Sequence, residues 1–147
     1  MRFLRIKICI STCLALIFFL CALLFVWGTN VDRFSALEGE RTFYLHSSSS
    51  QALIKRELSL RDVGKIRGES VAFTREKQTE EECLKEILTL YRAEVLFSEQ
   101  VGETISYYCY TSQWTDGLEL DGLFVNLHVA FREEACTVGA PLIFGGF

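Results

Sequence analysis

Apolar and polar positions change rhythm along this chain, and each rhythm predicts a different element. From Ile8 to Trp27 there are 20 positions without a charge, and only Ser11 and Thr12 are clearly polar. A helix of that length spans roughly 30 Å at about 1.5 Å per residue, the thickness of a bilayer's hydrocarbon core. Helix is also the form that satisfies every backbone donor and acceptor without water. Arg2, Arg5 and Lys7 precede the run, while the first charges after it are Asp32 and Arg33. Basic flanks stay cytoplasmic, so the pattern predicts N-terminus in and C-terminus out, with Trp27 at the far interface. The competing reading is a cleaved signal peptide, whose apolar core normally runs about 7 to 15 residues to a small-x-small site. Here the core is longer and no A-x-A surrounds Trp27, so an uncleaved signal anchor is expected; cleavage near Thr29 or Ser35 is the alternative.

Beyond the apolar run, TNVDRFSALEGER (29–41) mixes polar groups with isolated apolar ones and is expected to be a tether. Thr42–His46 is a short aromatic, β-rich run and predicts a first strand. The serines Ser47–Ser50 can cap a short helix over SQALIKREL. A strand is expected around Ser70–Thr74. Thr79 followed by Glu80, Glu81 and Glu82 fits a capping box, and Cys83, Leu84, Ile87, Leu88 and Tyr91 recur at helical spacing on one face. The period then drops to two. Ala93–Gln100 and Thr104–Thr111 predict a hairpin through Val101-Gly102-Glu103. Asp121-Gly122 suits a type I′ turn. After it Val125, Leu127, Val129 and Phe131 point one way and Asn126, His128 and Ala130 the other. A last strand is expected over roughly Thr137–Phe144, with Pro141 marking an edge, an end or a bulge. The apolar ending APLIFGGF, with Phe147 last, is expected to dock in a core or a partner. The expected fold class is α+β, a mainly antiparallel sheet with one principal helix packed on it, preceded by an N-terminal transmembrane helix.

Charge changes the picture by excluding partners. All 19 acidic residues but only 12 of the 15 basic ones follow Trp27, leaving that part at a formal −7. No basic patch is present to neutralise phosphates, which argues against nucleic acid. The same balance argues against lying flat on an anionic membrane. Of six cysteines, Cys9, Cys13 and Cys21 sit in the apolar run; Cys83, Cys109 and Cys136 belong to the domain. Three leaves the pairing open between one bridge with a free thiol and three buried thiols, and no C-x-x-C suggests redox chemistry or zinc.

Candidate chemistry is sparse. Ser70, in Gly68-Glu69-Ser70-Val71-Ala72, lacks the second glycine of a nucleophile elbow. A triad of Ser70, His128 and a carboxylate can be drawn, but such a set arises by chance in nearly any chain. His46 and His128 have no metal-ligand spacing, so no metal and no cofactor are expected. The aromatic strand Tyr107-Tyr108-Cys109-Tyr110, with Trp114 beyond it, carries rings on both faces. Tyr108, Tyr110 and Trp114 are therefore the candidate binding surface, with Ser70, His128 and Asn126 as weaker candidates.

These observations predict a basic cytoplasmic end (1–7), a transmembrane signal anchor (8–28), a tether (29–41) and an extracytoplasmic α+β domain (42–147). The expected function is a membrane-anchored binding or regulatory module working through protein–protein contacts. Its expected partners are the bilayer and a protein of the envelope. Two alternatives stand beside it, a membrane-tethered hydrolase using Ser70 or a carboxylate, and a binder of a small apolar ligand. The first needs Ser70 Oγ within roughly 3 Å of His128, and the second needs a concave pocket among Tyr108, Tyr110 and Trp114.

Overall fold

The computed structural model describes residues 2–31, 33–46, 53–59, 62 and 65–144, with side chains of the first helix described over 10–24. Two compact units result, Met1–Arg33 and Phe34–Phe147. The first is one helix, α1 (Arg2–Val31), whose described side chains are all exposed. Among the described residues no helix is long and apolar enough to cross a membrane. This corrects the expected transmembrane signal anchor. With it go the bilayer as a partner, the single-pass topology with an extracytoplasmic domain, and the membrane-anchored forms of the function.

Among the described residues the second unit holds nine strands and a helix. In chain order these are β1 (Glu40–Leu45), β2 (Leu53–Lys55), β3 (Ile66–Thr74), α2 (Glu80–Tyr91), β4 (Ala93–Val101) and β5 (Thr104–Thr111). β6 (Leu118–Leu120), β7 (Leu123–Val125), β8 (Leu127–Arg132) and β9 (Ala135–Ala140) complete it. Seven strands form one sheet in the order β2-β1-β3-β9-β8-β5-β4, and β6 and β7 pair separately. Every pairing is antiparallel. The fold is thus α+β, with one helix on a large antiparallel sheet.

Local chemistry accounts for most boundaries. Thr79 caps α2: its Oγ1 accepts from Glu82 N–H at 3.3 Å, while Glu82 Oε2 accepts from Thr79 N–H at 3.0 Å. These bonds hold the Glu82 carboxyl below the ordinary range. Three glutamates in the first turn complement the helix dipole. The helix stops at Arg92, in the left-handed conformation (φ 48°), and β4 begins at once. Asp121 (φ 50°) and Gly122 (φ 79°) both take positive φ at the β6–β7 turn, as a type I′ hairpin requires. The helix expected over SQALIKREL is not what forms. Leu53–Lys55 pairs with β1 as a short edge strand, and Ser47–Ser50 lie outside the described residues. The last strand ends at Ala140 rather than running to Phe144, because Pro141 has no N–H to give the ladder.

Period-two alternation gives the sheet two faces. On one, Val71, Cys109, Leu127, Val129, Phe131, Cys136 and Val138 pack with Cys83, Ile87 and Tyr91 of α2. Phe34, within the 29–41 stretch, joins this core at 2% exposure. Asp62 is clamped by Lys55 Nζ at 2.8 Å and by the Ser59 N–H and hydroxyl, pinning the turn beyond β2. Cys83, Cys109 and Cys136 are buried free thiols. Burial pushes the Cys109 thiol up to about 12, so it is a small core hydrophobe.

Candidate functional site

The opposite face of the sheet, the outer face, is where most sequence-predicted site residues fall. In one register row Tyr108 of β5 pairs with His128 of β8, His128 with Gly139 of β9, and Gly139 with Ser70 of β3. Phe97 of β4 extends the row: its ring stacks on Tyr108 with centroids 4.4 Å apart and planes at 15°. Tyr108 in turn stacks on His128 at 4.5 Å and 11°. Three rings on three adjacent strands thus form one ladder.

The chain beyond β9 folds back over the inner part of this row. Gly139 and Gly68 leave room for it. A Cβ at Gly139 would lie 2.6 Å from Ile143 Cγ1, and one at Gly68 would lie 2.7 Å from the Ala140 carbonyl oxygen and 3.1 Å from the Phe144 ring. Phe144 meets Tyr44 edge-on at 5.3 Å. Ile143 donates its N–H to His128 Nδ1 at 3.3 Å. Under this strap His128 is 5% exposed, and burial lowers its pKa to about 4. It is neutral at pH 7, and Nδ1 is the acceptor nitrogen.

Ser70 and His128 share the face but do not meet. Strand β9 runs between theirs, which separates them by two strand spacings, roughly 9–10 Å. Ile143 fills the gap above Gly139. Ser70 Oγ bonds Tyr44 Oη instead, at 2.9 Å in a buried contact. His128 is therefore out of hydrogen-bond reach as a base for Ser70.

Tyr108 and Tyr110 both lie on the outer face, half-buried, and Tyr110 approaches Phe124 of β7 at 6.3 Å. Trp114 is elsewhere. It packs on Phe34 at 5.8 Å and Tyr91 at 5.4 Å, beside the core under α2. A pocket enclosed by these three aromatic residues does not form. Asn126 is fully buried between β7 and β8. Its Oδ1 accepts from Thr111 N–H at 2.7 Å, and its Nδ2 donates to the Thr111 and Trp114 carbonyls at 2.7 and 3.0 Å. That is a structural pin for the loop carrying Trp114. Among the described residues no group of three His, Cys, Asp or Glu could hold a metal ion.

Two features of this half of the sheet escaped the reading of single motifs. From Ala93 to Phe131 the chain holds six carboxylates (Glu94, Glu99, Glu103, Asp116, Glu119, Asp121) and not one Lys or Arg. The stretch covers β4, β5, the β6–β7 hairpin and most of β8. The second feature is topological: β4 ends the sheet, and among the described residues no strand pairs with its outer side. A count of charge by segment exposes the first; only the strand order reveals the second.

No protein-family model, curated protein or solved structure matches this chain.

Proposed function

We propose that the domain is a non-catalytic recognition module whose working side is the acidic β4–β5 half of the sheet, and that its ligand is a basic polypeptide segment. The carrying observation is the 93–131 stretch, with six carboxylates and no Lys or Arg beside exposed aromatic and aliphatic side chains. A predominantly acidic surface, with the exposed Arg132 opposite Thr104 at one end of it, steers oppositely charged partners and disfavours like-charged ones. Tyr108 and Tyr110 supply rings with polar tips, a combination that suits interfaces. Catalysis has no comparable support, because Ser70 and His128 are each engaged elsewhere. No membrane attachment enters this reading.

Titration of the full-length protein with cationic, neutral and anionic peptides of equal length tests it by fluorescence anisotropy. Binding is expected for the cationic set alone, weakening as salt rises. Equal affinity across the three sets would dismiss the acidic half as the recognition surface.

A further inference from the structure

Resting on that reading, we infer that the basic segment binds by strand addition: it pairs its backbone with the open edge of β4. Sheet edges expose a row of N–H and C=O groups, and proteins usually guard them with lysine, proline, short length or a bulge. The two edges of this sheet differ in that respect. β2 is three residues long and ends on Lys55, with Arg56 next. β4 is nine residues long and contains neither lysine nor proline. Its one irregularity is a register shift between Val95 and Phe97, which leaves Phe97–Val101 as a regular stretch.

Side chains along that stretch specify the partner's pattern. Phe97, Glu99 and Val101 pair with Tyr108, Ser106 and Thr104 on the outer face, and Val101 is 68% exposed. Glu99 is exposed and accepts from the Tyr108 hydroxyl at 3.4 Å. An added strand would set every second residue beside this row. Its best match is a basic residue opposite Glu99, with apolar residues two positions either side for Phe97 and Val101. Backbone bonds then give affinity and the alternate side chains give selectivity. A second copy is the wrong occupant. Pairing β4 with its own duplicate would bring Glu94 and Glu99 of two molecules together, and like charges across strands are destabilising.

The probe is a β4-length peptide with threonine on one face and valine and arginine alternating on the other. Its partner probe is the same peptide with alternate backbone nitrogens methylated, so that charge is kept and edge pairing is lost. Full-length protein should bind the unmodified peptide and lose at least about tenfold in affinity to the methylated one. E99K should weaken the unmodified peptide by a similar factor while leaving the denaturation midpoint unchanged. Equal binding of both peptides would overturn strand addition and leave the acidic recognition surface standing. Binding of neither would remove both. Concentration-dependent self-association that the unmodified peptide competes away would overturn the inference in favour of a second copy.

Discussion

Ile143 donates its backbone N–H to His128 Nδ1 at 3.3 Å, and this bond exists only while that nitrogen is unprotonated. Burial lowers the His128 pKa from 6.5 to about 4. The unfolded chain therefore binds more protons than the folded one between those values, and stability falls as pH drops through that window. Glu82 and Asp62 have lowered pKa values, from 4.5 and 3.8, so their contributions are lost only as pH falls below those values. The interval from pH 6.5 to 4.5 therefore isolates His128. Urea denaturation should show a loss of roughly 2–3 kcal/mol across it. H128N should flatten that part of the profile. An unchanged slope in H128N would show that the strap does not depend on a neutral imidazole.

The strap also rests on the missing side chain of Gly139. A Cβ there would sit 2.6 Å from Ile143 Cγ1 and 3.0 Å from Ile143 N, so the strap must lift. G139A is expected to cost about 1–3 kcal/mol, the usual range for overpacking a closed contact. Hydrogen exchange at the Ile143 amide should speed up while core amides of β8 stay protected. Stability equal to the parent would mean that the segment after β9 adapts freely.

Much of this fold was legible wherever local chemistry and burial agree. Thr79 to Glu82 marks the start of α2, and the period-two runs mark β4, β5 and the inward face of β8. The Asp121-Gly122 turn follows from glycine's ease at positive φ. The short strand β2 was not legible, since its residues have ordinary helix propensity and only β1 beside it selects the extended form. Strand order was out of reach as well. Nothing local says that β9 separates Ser70 from His128, or that Trp114 turns to Phe34 and Tyr91 while Tyr108 and Tyr110 face outward. For α1, the uncharged run predicts an anchor, whereas among the described residues no helix is long and apolar enough to cross a membrane.

Asn126 separates a packing role from a binding one. Its side chain serves the Thr111 N–H and two carbonyls in a fully buried position. N126L keeps the volume but strands all three backbone groups, each costing about 1–3 kcal/mol when buried and unsatisfied. A total loss of roughly 3–5 kcal/mol is expected, with a red shift in Trp114 fluorescence as its loop is released. N126D keeps the acceptor for Thr111 but sets a buried carboxylate oxygen against the Thr111 and Trp114 carbonyls, so it should cost at least as much as N126L. A neutral N126L would show that the loop has another support.

Ser70 and Tyr44 offer the sharpest test of whether the serine is structural. Their hydroxyls meet at 2.9 Å with both residues nearly fully buried, Tyr44 on β1 and Ser70 on β3. Removing one hydroxyl leaves the other without its partner, whereas removing both leaves an apolar contact of similar shape. S70A and Y44F should each lose about 1–2 kcal/mol, and the double variant S70A/Y44F less than their sum, with a coupling near 1 kcal/mol. A nucleophilic serine would respond differently. Y44F would then leave labelling of Ser70 by an active-site phosphonate intact, and S70A would abolish it at unchanged stability. Because Ser70 is 5% exposed and β9 holds His128 away from it, no such labelling is expected in either protein.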